Sequence, residues 1–192
     1  LYYLEAKNAA ANDRKVAWIT GGAPVELLIA MDGIPVYPEN HAAMCGAAKM
    51  GAELCEVAEG LGYSRDTCSY FRSDIGSIET GRSPVMGLPR PDFLVCCTNI
   101  CGTVLKWYEA AARYYQAPLF VLDTPYIHED DGAAPEHALR YVRGQLDDYV
   151  AWIERNTRRK LKPDKLRQAA EYASETTRLW REIRELCKAR PS

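Results

Sequence analysis

Four short apolar runs, at 16–20, 34–37, 92–97 and 118–122, constrain what this chain can fold into more than any other feature. They are continuously apolar instead of alternating, as strands covered on both faces are. Segments of helical character separate them, over 24–31, 41–59, 68–78 and 101–115. Strand and helix in alternation imply right-handed crossovers and a mostly parallel sheet with helices on both sides. The expected fold is therefore α/β, a three-layer, doubly wound parallel sheet of the Rossmann or flavodoxin kind, over residues 1–125. After Asp123-Thr124-Pro125 the chain turns charged and helical. Leu139, Val142, Leu146, Tyr149, Val150 and Ile153 recur at helical spacing, and so do Leu166, Ala169, Ala173, Trp180, Ile183 and Cys187, with Pro163 opening the second run. These patterns predict an appended C-terminal helical hairpin over 133–190, its turn at the basic run 155–160.

The 192 residues, 47% of them hydrophobic, are enough for one compact domain with a real core. A formal net charge of −2 gives no electrostatic case for binding nucleic acid or an anionic membrane surface. No apolar stretch approaches the roughly 20 residues of a membrane span. The first residues do not form a charged-then-apolar leader, so a cytoplasmic location is expected. The chain opens on Leu1 and closes on Pro191-Ser192 directly after a helical pattern, and so reads as a fragment of something longer.

Seven cysteines, an odd number in a chain without the loop-rich character of a disulfide scaffold, predict reduced thiols used as metal ligands or core filler. There is no C-x-x-C, and the closely spaced cysteine runs of ferredoxins are absent. Cys96 and Cys97 fall in a predicted strand, so they point to opposite faces and read as core. Cys45, Cys55 and Cys187 lie on helical segments among Ala, Leu and Val, where a thiol packs as a small hydrophobe. Cys68 and Cys101 differ. Each sits just past a capping-type residue, Thr67 or Asn99, where free backbone N–H groups and the helix dipole favour a thiolate. Helix starts at the C-terminal edge of a parallel sheet are where α/β folds place ligands, so two such thiolates are a plausible place to hold iron. Packed thiols are the alternative, and the residues alone leave both readings open.

Glu39 and His41 end the second predicted strand, on the same expected edge, and are candidates for moving protons there. The competing reading makes Asn40 a helix cap and Glu39 a first-turn charge facing water. Gly21-Gly22-Ala23-Pro24 is not a G-x-G-x-x-G fingerprint and reads as a tight turn, with Pro24 as the first residue of a helix. His128 and His137 flank the acidic run Glu129-Asp130-Asp131, a solvated surface in this reading.

Several segments in order resemble the family of benzoyl-CoA reductases and 2-hydroxyacyl-CoA dehydratases: 22–27 (GAPVEL), 35–47 (PVYPENHAAMCGA), 68–76 (CSYFRSDIG) and 106–109 (KWYE). Their wording looks closer to the reductase subunits. The resemblance implies the N-terminal α/β domain of a two-domain subunit whose second domain this chain lacks. It implies a [4Fe-4S] cluster held by three cysteines, with Cys68 and Cys101 at the first two positions and the third in the second domain, Cys187 being a poor substitute. It also implies an acyl-CoA substrate, a related second subunit, and an ATP-dependent activator protein carrying its own iron-sulfur cluster. The activator delivers a low-potential electron that makes a substrate radical anion; the dehydratases then expel hydroxide, whereas the reductases yield a diene. No Walker motif occurs here, in keeping with ATP hydrolysis on another protein. The competing expectations are a non-catalytic scaffold subunit of the same fold, and a flavodoxin-like binding module whose cysteines are all core.

Overall fold

The structure, a computed structural model, describes residues 2–127 and 134–189. Helix α1 (Tyr2–Lys7) and a 3-10 turn (Ala9–Asn12) lead into β1 (Val16–Ile19). There follow α2 (Val25–Ala30), β2 (Ile34–Val36), α3 (Pro38–Ala47), α4 (Gly51–Gly60), α5 (Ser69–Thr80), β3 (Phe93–Cys97) and α6 (Gly102–Tyr115). The chain continues through β4 (Leu119–Leu122), α7 (Glu136–Thr157) and α8 (Pro163–Leu186).

All strand pairs are parallel, in the order β2-β1-β3-β4. The chain winds outward from β1 to β2, then back across to β3, so the strand order reverses between β1 and β3. Every residue of β1 and β3 is buried, as their unbroken apolar character predicts. On one face Trp18, Leu94 and Cys96 pack with Phe71, Trp107 and Tyr108. On the other, Ile19, Phe93 and Cys97 pack with Leu28, Tyr149 and Ile153. The Trp18 indole N–H, which burial would otherwise leave unpaired, donates to Pro89 O at 2.9 Å.

The helical run at 41–59 is two helices, not one. Lys49, at φ 58°, reverses the chain between α3 and α4, and Gly51 then lies against Gly46. The break lets α4 and α5 pack closely. A Cβ on Gly76 of α5 would stand 2.0 Å from Leu54 O, so only glycine permits this approach.

Both C-terminal helices are present, but each is covered by a different element. The close approaches of α7 are to β4 and those of α8 are to α2. Tyr149 and Ile153 of α7 enter the core, whereas no residue of α8 is buried. The base of α8 is held by ion pairs to Asp32, from Lys165 Nζ at 2.5 Å and from Arg159 at 3.1 Å. Among the described residues no helix is long and apolar enough to cross a membrane.

Candidate functional site

The C-terminal ends of β1, β2 and β3 deliver three loops to one edge of the sheet. After β1, Thr20 N donates to Val95 O at 3.2 Å, and Thr20 Oγ1 lies 3.1 Å from Cys97 Sγ. Gly22 then meets the loop after β3: a Cβ here would stand 3.0 Å from Asn99 Oδ1 and 3.2 Å from Cys97 Sγ. The glycine turn thus serves close backbone approach at the point where the strand order reverses, the usual place for a ligand in this fold. Pro24 caps α2 one position earlier than expected.

After β2, Tyr37 is the N-cap of α3 and Pro38 its first residue, so Glu39 falls in the first turn and Asn40 is no cap. Glu39 faces an open depression of about 880 Å³, shared with Gly21, Gly22, Tyr37, Asn99 and Trp180. Its carboxylate accepts a hydrogen bond from Tyr108 Oη at 3.3 Å. Burial pushes the Glu39 carboxyl above its ordinary value, and the backbone N–H groups of Glu39 and Gly21 and the Tyr108 hydroxyl pull against it. A half-buried carboxyl so poised at an open site takes up and releases its proton above the ordinary glutamate range.

Cys68 and Cys101 are both exposed, free thiols. Each is itself the N-cap of its helix, one position earlier than expected: Cys68 of α5 (φ −49°, ψ 132°) and Cys101 of α6 (φ −73°, ψ 150°), neither with a side-chain capping bond. The two helices run the same way. The C-cap of α6, Gln116, lies with Pro89–Asp92 at the N-terminal edge of the sheet, and the C-cap of α5, Gly81, lies beside Gly87, which leads into the same stretch. Phe71 and Trp107, near the starts of α5 and α6, are 6.3 Å apart. Both cysteines therefore belong to the end of the molecule that carries Glu39.

The remaining cysteines divide. Cys96 and Cys97 are buried on opposite faces, as their places in a strand require, and burial pushes the Cys96 thiol up to about 12. Cys55 packs at 3.4 Å from Ser73 Oγ. Cys187, expected in packing, is exposed at the C-cap of α8, because α8 buries nothing. Among the described residues no three His, Cys, Asp or Glu side chains are grouped as a metal site. His128 and the acidic run beside it lie outside the described residues, and His137 is exposed.

His41 does not line the depression. It is fully buried, with Nδ1 2.5 Å from Asp74 Oδ1 and Nε2 2.7 Å from Ser83 Oγ, and with Cys45 Sγ 3.6 Å from Nε2. This places it neither at the depression, where proton transfer was expected, nor in water, but in a polar network tying α3 to α5. Burial pushes the Asp74 carboxyl up to about 7, although His41 pulls it down, and Asp74 Oδ2 has no hydrogen-bond partner. The signal for this network is Asp74 itself, a charge on the apolar face of α5 between Phe71 and Ile75.

His41→Ala should therefore destabilise the protein by about 3–5 kcal/mol at neutral pH, the scale for leaving a buried charge alone. The sign of its pH dependence follows from Asp74. Burial already raises the folded-state carboxyl above its ordinary 3.8 and the variant removes the group that pulls it down, so the folded state binds the proton more tightly than the unfolded one. Stability is then greatest below about pH 4 and falls as pH rises through the folded pKa. Urea unfolding across that range measures it, and a loss that does not shrink on acidification would contradict the account.

Residues 20–192 match the family described as 2-hydroxyglutaryl-CoA dehydratase, D-component. The chain belongs to this family. It is 37% identical to the (R)-2-hydroxyisocaproyl-CoA dehydratase alpha subunit of Clostridioides difficile, over 93% of this chain and 43% of that protein. It is 34% identical to the (R)-phenyllactyl-CoA dehydratase alpha subunit of Clostridium sporogenes, over 98% of this chain and 45% of that protein. One of the benzoyl-CoA reductase subunits of Thauera aromatica is 28% identical, over 95% of this chain and 42% of its own length. The expected closeness to the reductase subunits is not seen over the matched lengths, where these two dehydratase subunits share more with the chain. Short motifs at a common fold edge do not separate the two branches. The chain spans about half the length of the curated relatives it matches.

Proposed function

We propose that this chain is the N-terminal α/β domain of a subunit of a 2-hydroxyacyl-CoA dehydratase-like or benzoyl-CoA reductase-like enzyme, acting with a related second subunit. The observation that supports it best is the placing of two exposed, unbonded cysteines at the starts of α5 and α6, at the end of the sheet that carries Glu39. Exposed thiols at helix N-caps suit thiolate ligation, so Cys68 and Cys101 fit a [4Fe-4S] cluster as two of its ligands, with a third expected from the other half of the subunit. Such a cluster, when bound, supplies single electrons at low potential, received from an ATP-dependent activator protein.

The residues of this chain do the rest. The depression at the strand-order reversal receives the thioester end of an acyl-CoA. Glu39, held by Tyr108 and by backbone N–H groups, exchanges a proton with the bound acyl group. His41 and Asp74 lock the first turns of α3 to α5, which holds the carboxyl and Cys68 in fixed relation. Iron and sulfide analysis of the full-length subunit, purified without oxygen together with its partner subunit, tests the reading. About four irons per subunit is the expected result. A fully folded complex with no iron would favour a scaffold subunit instead.

A further inference from the structure

The depression beside Glu39 is lined by side chains of two kinds: Glu39, Asn40, Asn99 and Thr176 are polar, with the backbone of Gly21 and Gly22, whereas Tyr37, Ile100 and Trp180 are largely apolar. Trp180 comes from α8, which is anchored at its base by Lys165 and Asp32 and runs along α2. At 1.5 Å per residue, α8 rises about 22 Å from Lys165 to Trp180, whereas the six residues of α2 span about 9 Å. The helix therefore overhangs the sheet edge and brings Trp180, together with Thr176 one turn earlier, over the depression. There Trp180 is 60% exposed, and Ile100, in the loop after β3, is 42% exposed.

We propose that Trp180 selects the acyl side chain of the substrate, which is an uncharged, bulky apolar group, aromatic or branched, packed against the indole. The inference rests on the acyl-CoA reading above. The only charged side chain lining the depression among the described residues is Glu39, and no lysine or arginine does. An acyl group ending in a carboxylate would be placed near Glu39 with no cation among the described residues to offset the repulsion or replace its lost hydration. An aromatic or branched group instead removes exposed indole surface of Trp180 from water and leaves Glu39 to the thioester end.

Binding by calorimetry to the full-length subunit assembled with its partner, without activator so that nothing turns over, tests this. The probes are 3-phenylpropanoyl-CoA, glutaryl-CoA and propanoyl-CoA. The wild type should bind the phenylpropanoyl thioester about tenfold or more tighter than the glutaryl thioester. Trp180→Ala should weaken phenylpropanoyl-CoA about tenfold while leaving propanoyl-CoA within about twofold, and Trp180→Phe should restore most of the loss. The exposure of Trp180 makes both variants compatible with folding. Glutaryl-CoA bound as tightly as phenylpropanoyl-CoA, or an equal loss for the propanoyl probe in Trp180→Ala, would overturn the inference and leave the functional reading standing. A wild-type complex that binds none of the three thioesters would overturn the functional reading, and the inference with it.

Discussion

Cys101→Ala or Cys68→Ala in the full-length subunit is expected to remove its iron, its brown absorption and all of its turnover, while the protein stays folded. The first half follows from the proposed ligation. The second follows from local structure. Each cysteine is an exposed N-cap whose side chain makes no capping bond, so alanine removes no hydrogen bond and opens no cavity. Loss of iron with an unfolding midpoint equal to that of iron-free wild type therefore separates ligation from stability. Two controls sharpen the result. Cys187→Ala, at the exposed end of α8, should keep its iron and its stability. Cys96→Ala, fully buried, should keep iron and lose stability, by about 1–3 kcal/mol for a small core side chain. A complete cluster in either N-cap variant would remove the cysteine replaced there from the site.

The sheet was legible in the sequence because its two central strands are buried on both faces, and an unbroken apolar run has few other uses. The helix starts at Cys68 and Cys101 were legible to within one residue. What pattern could not give was partnership. Helical spacing in 163–187 marks an apolar stripe but not what covers it; the element packed on α8 among the described residues is α2, and no residue of α8 is buried. The reversal at Lys49 has glycines only at 46 and 51 and none at the left-handed position itself, which is a lysine held by the packing of α4 on α5. His41 read as an edge residue because it follows Glu39 so closely. Residues two apart on a helix point to nearly opposite sides of its axis, however, and the faces decide: Glu39 looks to the depression and His41 to Asp74. Ser83 and Trp180 were out of reach for a related reason, since each joins its cluster only through the tertiary fold.

Glu39→Gln should lower turnover by about two orders of magnitude, the usual scale for losing a positioned acid or base, without changing iron content. Gln keeps the shape and can still accept the Tyr108 hydroxyl, so the variant removes the proton and little else. The wild-type pH profile should contain a limb above the ordinary glutamate range, because burial raises this carboxyl, and the variant should lack it. Tyr108 offers an independent check. Its hydroxyl pulls the Glu39 pKa down, so Tyr108→Phe should move that limb to higher pH while retaining much of the turnover. A purely structural carboxylate, favoured only by the first turn of α3 and worth about 0.3–1 kcal/mol there, predicts a different pattern. In that case Glu39→Gln would turn over like the wild type and neither substitution would shift the profile, leaving the depression without its proton donor.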